Sequence, residues 1–350
     1  AVVGLSVAAI PEGLPAILTV TLAIGVQGMA RRNAIVRRLP AIETLGAVSV
    51  ICSDKTGTLT RNEMMVATVV TPASRLIVDG DGYAPHGAFG DGRGPVAPAA
   101  VPGLAEIARA VVLCSEAELA REGEDWSVVG DPMEGALVAF AAKAGVEAAV
   151  LRGAEREVDA IPFDAAHRFM ASLRHDHAGR AELLVKGAPE RLLEMCTAEQ
   201  GPGGEPRPLE RTAWQAVVDE VAAEGQRVLA VARRPMDPEH MRLAFEDAES
   251  GLVLLGMVGL IDPPREAAVA AVADCRGAGI RVKMITGDHA ATARAIAARL
   301  GLENADDVLE GRELDSLDDA GLARRAAAVD VFARTSPEHK LRLVEALQRA

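Results

Sequence analysis

Cysteine, aromatic rings and excess positive charge are what this chain has least of. Its four cysteines, Cys52, Cys114, Cys196 and Cys275, are scattered and form no C-x-x-C pair. That spacing argues against a disulfide framework or a structural zinc site and for a reducing, cytosolic setting. Thirty-seven Lys and Arg stand against 50 Asp and Glu, a net charge of −13. A general nucleic-acid binder shows a basic face, so no nucleic-acid partner is expected. Nucleotides remain possible ligands, because backbone amides and single lysines bind them. No G-x-x-x-x-G-K-[ST] run occurs, which leaves Walker-type chemistry unsupported. A secretory signal is also missing: there is no initiating Met, basic leader or cleavage site. Aromatics are 3% of the chain, so each one carries information. With 350 residues, 49% apolar and 25% charged, the composition is globular and long enough for two or more domains. No internal repeat is visible.

The first thirty residues differ from the rest. Residues 1–30 hold one charge, Glu12, between Pro11 and Pro15. At about 1.5 Å per residue such a run can cross a bilayer of roughly 30 Å. Arg31, Arg32, Arg37 and Arg38 follow, which places the C-terminal end on the cytoplasmic side. A transmembrane helix segment is therefore expected over residues 1–30, with a buried core helix as the other reading. An intramembrane carboxylate is a functional feature by default. Proline has no amide hydrogen, so Pro11 and Pro15 free carbonyls around Val7, Ala8 and Ile10. Those carbonyls with Glu12 would make a hard-oxygen cation site. The competing reading is a kinked helix whose Glu12 faces solvent or a partner.

Along the rest of the chain, residues 33–62 read as a short α/β opening. A Gly- and Pro-rich stretch, Asp79–Pro98, reads as turns or a hairpin loop. Residues 104–145 look helical, with an interruption near EGEDWSVVGDP. Strands and turns are expected over 157–186, an amphipathic helix over 214–224, and apolar strands over 228–233 and 252–260. From Asp262 a regular alternation starts: helix 265–277, strand 280–285, helix 290–300, then strand 329–333 and a helix from Pro337. Such alternation implies a parallel sheet wrapped by helices. The economical architecture is one α/β Rossmann-like domain interrupted by an insertion of about two hundred residues.

Ligands of parallel sheets bind beyond the carboxyl ends of strands. Three such ends carry useful chemistry. The hydrophobic run 48–52 stops at Asp54, followed by Lys55, Thr56, Gly57 and Thr58. A second end gives Thr286 and Asp288, and a third gives Ser336 and Lys340. An aspartate can accept a phosphoryl group, provided that Mg²⁺ and a lysine neutralise the triphosphate. Ser336 suits an N-cap and Pro337 the first helical position, so Lys340 lies in the first turn. A second carboxylate two residues after Asp54 would hydrolyse the intermediate; Thr56 stands there, so an acyl phosphate should persist. For an isolated aspartate, helix or turn capping is the simpler reading; the whole run DKTGTLT argues otherwise.

DKTGTLT (Asp54–Thr60) resembles the phosphorylation motif of P-type ATPases, members of the haloacid-dehalogenase-like superfamily. The similarity extends over nearly the whole chain. PEGLP (Pro11–Pro15) resembles the broken fourth transmembrane helix of the calcium-pump-like subfamily. KGAPE (Lys186–Glu190), with Gly187 in it, resembles the nucleotide-domain motif, DPPR (Asp262–Arg265) the hinge strand, and TGD (Thr286–Gly287–Asp288) the phosphate-site loop. The resemblance implies a transmembrane segment at 1–30, a phosphorylation domain at 31–62 and 261–350, and an inserted α+β nucleotide-binding domain at 63–260. It makes Asp54 the phosphorylated nucleophile, with Asp54 and the Thr56 carbonyl holding Mg²⁺. Thr286 and Gly287 would cradle the phosphoryl group, beside Asp288, and Lys340 would neutralise it. Asp262 and Arg265 would help close the domains on ATP.

For ATP, Phe163 in IPFDAAHRFM resembles the adenine-stacking phenylalanine, and Glu134 in GDPMEGAL the residue that meets the adenine amino group. Lys186 would line the pocket and Arg227 would reach the phosphates. Arg168 departs from the family, which often has lysine there, and Ala165 and Ala166 replace common charged residues. A core Phe and a helix-surface Glu are the plainer readings of Phe163 and Glu134. His175-Asp176-His177 reads as an exposed turn rather than a metal site.

The resemblance favours Ca²⁺ over Na⁺, K⁺ or H⁺ as transported ion, and the lack of a CPC in place of PEG argues against soft metals. The family's GDGxNDxP motif, its actuator domain and its other membrane helices are absent from these 350 residues. The expectation is therefore a piece of a multi-pass membrane pump that binds ATP weakly and neither turns over nor transports alone. Two rival readings are a soluble haloacid-dehalogenase-like phosphatase and a non-catalytic ATP-binding module.

Overall fold

The computed structural model describes residues 13–38, 42, 45–123 and 125–349. It is a mixed α/β structure, and its described residues fall into two compact units. One draws on Ala1–Cys52 and Ala273–Val282, the other on Ser53–Val272 and Lys283–Ala350.

In the first unit the main element is the helix Gly13–Ala30. Its 18 residues are almost all apolar, and Ile17, Leu18, Val20 and Ile24 are each more than half exposed. The expected membrane segment began at residue 1. Residues 1–12, with Val7, Ala8, Ile10 and Glu12, lie outside the described residues. Among the described residues, no helix is long and apolar enough to cross a membrane.

The second unit contains one large, almost wholly antiparallel sheet. Its centre is the strand Leu252–Ile261, buried at all ten positions. The strands Met65–Val70 and Arg227–Met236 pair with it on either side. Ala181–Gly187, Phe169–Asp176 and Glu155–Asp164 continue outward from Arg227–Met236. Side chains alternate across a strand, and the sheet uses both faces. Leu184 and Val231 point into a core with the helices Leu104–Leu113 and Pro132–Lys143. Their neighbours Leu183, Val185, Ala230 and Ala232 point into another core, with Pro189–Met195 and Arg211–Ala223. Burial on two faces is why these strands read as continuous apolar runs.

A four-stranded sheet has the order Val50–Asp54, Arg281–Ile285, Val331–Ala333, Val308–Glu310. Its pairings of Val331–Ala333 with both Arg281–Ile285 and Val308–Glu310 are parallel. One strand thus comes from before the large sheet and three from after it. The interruption near EGEDWSVVGDP is a separate hairpin, Glu118–Glu122 with Asp125–Val129. The helices Gly311–Ser316 and Asp319–Ala328 and the strand Val308–Glu310 were not expected from the sequence.

Candidate functional site

Asp54 is the last residue of its strand and remains half exposed. The backbone turns at once. Lys55 to Leu59 form a five-residue turn closed by Thr60 N–H donating to the Lys55 carbonyl at 3.0 Å. Gly57 sits at φ +74°, a left-handed conformation that glycine adopts without a Cβ clash. The Lys55 amide donates to Asp54 Oδ1 at 2.9 Å, which fixes the carboxylate at the turn's mouth. Thr56 and Gly57 are exposed on the same turn.

Two residues from far along the chain hold this turn. Asp262 Oδ2 accepts from the Thr60 hydroxyl at 2.6 Å, and Oδ1 accepts from the amides of Asn62 at 2.8 Å and Glu63 at 3.3 Å. Arg265 donates from Nε to the Thr60 carbonyl at 2.9 Å and from Nη2 to the carbonyls of Gly57 and Arg61. The two chain crossings therefore form one hydrogen-bonded strap beneath the Asp54 turn.

Opposite it stand the other strand ends. Lys340 Nζ lies 2.9 Å from Asp54 Oδ2, each side chain about half exposed. Lys55 Nζ lies 2.5 Å from Asp288 Oδ2, and the lysine is nearly buried. Thr286 is buried; its hydroxyl accepts from the Asp288 amide at 3.1 Å inside its own loop. The Thr286 carbonyl accepts from both the amide and the hydroxyl of Thr335, at 3.0 Å each. Gly287 is exposed at the tip of the loop. The strand ends thus carry two ion pairs, Lys340 with Asp54 and Lys55 with Asp288, joined through the adjacent residues Asp54 and Lys55.

The second group of predicted residues lies on the large sheet. Asp164, Phe169, Gly187, Ala230 and Met257 pair successively across five strands, forming one row. Phe163 precedes Asp164, Lys186 precedes Gly187, and Arg227 opens the strand three residues before Ala230. Phe163 is 60% exposed, so it is a free aromatic face rather than a core side chain. Lys186 is nearly buried and donates to Glu134 Oε1 at 2.7 Å and to the Ser115 hydroxyl at 2.8 Å. Glu134 Oε2 accepts from the amides of Glu116 at 2.8 Å and Ala117 at 3.3 Å. Burial pushes the Glu134 carboxyl up, but the Lys186 charge and these hydrogen bonds outweigh it, so its pKa falls below the usual value. Burial also pushes the neighbouring Cys114 thiol up to about 12, which leaves it inert. Gly187 is required by space: a Cβ there would lie 2.5 Å from the Arg168 carbonyl.

Arg168 and Arg227 are not joined to that cluster. Arg168, at φ +60°, pairs with Glu190 at 2.8 Å on the surface. Arg227 is exposed. Sequence reasoning assigned no role to Lys55 or Ser115. Lys55 was adjacent to the nucleophile candidate, but nothing in the sequence pointed to Asp288 as its partner. Among the described residues, no group of three or more His, Cys, Asp or Glu is placed to hold a metal by itself. Mg²⁺ keeps several waters and takes one or two carboxylates plus substrate phosphates. The half-exposed Asp54 carboxylate offers one oxygen ligand of that kind.

Comparison with known proteins gives a consistent picture. Residues 103–267 match the family described as P-type ATPase, cytoplasmic domain N. Across 99% of its length the chain is 47% identical to a cation-transporting ATPase of Synechocystis, covering 39% of that protein. It is 39% identical to a calcium-transporting ATPase of Bacillus subtilis, again covering 39% of it. A calcium-transporting ATPase type 2C member 1 of Bos taurus is 38% identical, with 35% of it covered. The chain thus spans somewhat over a third of the length of these relatives.

Proposed function

We propose that this chain, which is similar to P-type cation-transporting ATPases, is the ATP-using part of an ion pump that stores energy as an aspartyl phosphate on Asp54. The observation that carries this is the strand-tip cluster, in which Lys340 faces the exposed Asp54 carboxylate at 2.9 Å.

Asp54 Oδ2 attacks the γ-phosphorus of ATP, the bond to the β–γ bridging oxygen breaks, and ADP leaves. The transition state spreads charge over three equatorial oxygens, so catalysis is positioning plus electrostatics. Lys340 offsets the negative charge of the phosphoryl group as it transfers to Asp54. The 286–288 loop supplies amides around the transferring group, and its Asp288 is held by Lys55. Bound with the nucleotide, Mg²⁺ would be held by Asp54 and the Thr56 carbonyl and would supply charge neutralisation between phosphates. Thr56 offers no carboxylate to activate water, so the acyl phosphate outlives the transfer step. That lifetime suits coupling to a conformational change.

The large sheet holds the nucleotide. Phe163 stacks the adenine on its exposed ring, and the Lys186–Glu134 pair lines the pocket floor. Arg227 and Arg168 reach the phosphates, the latter by exchanging Glu190 for an anion. In this reading residues 63–260 are the nucleotide-binding domain, inserted into a haloacid-dehalogenase-like phosphorylation domain made of 31–62 and 261–350. The Asp262 and Arg265 strap is the hinge between them. Residues 1–30 enter the lipid bilayer of a multi-pass membrane protein, and Glu12 with the carbonyls of Val7, Ala8 and Ile10 contributes to the transported-ion site. Ca²⁺ is the favoured ion, and the remainder of the pump supplies the other ligands.

The test is phosphorylation of the full-length protein from γ-labelled ATP and Mg²⁺ while the cation is varied. An acid-stable, hydroxylamine-sensitive label that requires Ca²⁺ is expected. Label that resists hydroxylamine contradicts the acyl phosphate, and label triggered by another cation contradicts Ca²⁺.

A further inference from the structure

We propose that His339 is a positioning residue for Lys340, closing the cap of the helix that carries it only while the imidazole is neutral. This rests on the roles given to Asp54 and Lys340 above.

The helix Pro337–Arg349 begins with a reciprocal cap. The Ser336 hydroxyl accepts from the His339 amide at 3.3 Å, and His339 Nδ1 accepts from the Ser336 amide at 3.1 Å. In the usual Ser-x-x-Glu box a carboxylate takes the second bond. Here an imidazole takes it, which assigns the tautomer: Nδ1 is bare and Nε2 carries the hydrogen. Nε2–H then donates to Asp315 Oδ1 at 2.8 Å, tying the cap to the helix Gly311–Ser316. The ring occupies the space over Gly311, where a Cβ would lie 2.9 Å from Cε1. Lys340 is the next residue, and its amide makes the first intrahelical bond, to the Ser336 carbonyl at 3.3 Å.

Protonation at Nδ1 turns the acceptor into a donor that faces the Ser336 N–H. The cap then opens, and a positive charge sits at the positive end of the helix dipole. Asp315 is two-thirds exposed and meets the other ring nitrogen, Nε2. The other charges near the cap are mixed: Glu338 precedes His339 in the same first turn, and Glu310 and Glu313 lie at the start of the helix Gly311–Ser316. Lys340 follows in sequence, Arg342 donates to the carbonyls of Leu314 and Leu317, and Arg334 is held by His289. A first turn without its cap no longer fixes the Lys340 ammonium against Asp54. Histidine is the side chain that changes protonation near neutrality, so the cap acts as a pH gate on phosphoryl transfer.

The test measures the phosphorylation rate from ATP in the full-length protein over roughly pH 5–8, the range in which imidazoles titrate. Nucleotide affinity and the unlabelled Asp54→Asn variant serve as controls. His339→Ala and Ser336→Ala are each expected to slow phosphorylation about fivefold at neutral pH, the loss of one cap, with ATP affinity unchanged. His339→Glu rebuilds the usual box; it should restore most of the rate and remove the imidazole step from the pH profile. The proposal is overturned if His339→Ala keeps the wild-type rate and profile, or if glutamate restores nothing that alanine loses. If Asp54→Asn is labelled, the fault lies in the nucleophile assignment, not in the cap.

Discussion

Lys340 Nζ stands 2.9 Å from Asp54 Oδ2, although 286 positions separate the two in the chain. Both side chains are about half exposed, so the pair is a weak source of stability, about 0–1 kcal/mol. Its value lies in where it places a charge. Lys340→Ala should leave the melting temperature nearly unchanged. The phosphorylation rate should fall by about 10²–10³, the usual effect of removing a donor from a developing anion. A stability loss with an unchanged rate would assign the lysine a structural role instead.

Asp262 is predicted to matter for folding as well as for transfer. Its carboxylate accepts from the fully buried Thr60 hydroxyl and from two amides. Asp262→Ala leaves the Thr60 hydroxyl with only the Lys55 carbonyl as acceptor and removes the acceptor of two amides, and should lower stability by about 1–2 kcal/mol, read as a shift of the urea midpoint. Asp262→Asn keeps one acceptor oxygen and should lose less. Equal midpoints for wild type and Asp262→Ala would contradict the strap.

The Glu134–Lys186 pair gives a pH dependence with a definite sign. Its folded-state pKa is lowered, despite the upward push of burial, by Lys186 and the amides of Glu116 and Ala117. Ionised Glu134 therefore contributes stability that is present above the unfolded carboxylate pKa and is lost as pH falls through the folded value. Thermal unfolding should show wild type losing more stability than Glu134→Gln between neutral and acidic pH, below about 4.5. Parallel curves for the two proteins would refute this. The same substitution should also weaken ATP binding, because Lys186 keeps the Ser115 hydroxyl but loses the charged partner that orients its ammonium.

Much of this was legible in the sequence where a local rule applied. DKTGTLT showed a strand stopping at a carboxylate and a turn that contains a glycine. Ser336 and Pro337 marked the start of a helix, and the runs 228–233 and 252–260 marked apolar strands. What stayed hidden depends on distant pairing. Glu134 and Lys186 are 52 positions apart, and no periodicity links them. Lys55 stood in view, but its partner Asp288 follows the neighbouring strand, more than two hundred positions away in the chain. The hairpin Glu118–Glu122 with Asp125–Val129 escaped because its strands are short and carry charges. Val308–Glu310 is three residues long, too short to show a period. His339 drew no reading from the sequence, since only its contacts with the Ser336 amide and Asp315 reveal a cap.

The most direct measurement is to digest the acid-quenched, ATP-labelled protein and locate the phosphate by mass spectrometry, in wild type and in Asp54→Asn. One labelled peptide is expected, containing Ile51–Thr60 with the phosphate on Asp54, and the substituted protein should carry no label. A phosphate on any other residue, or undiminished label in Asp54→Asn, would contradict the assignment of that carboxylate as the nucleophile.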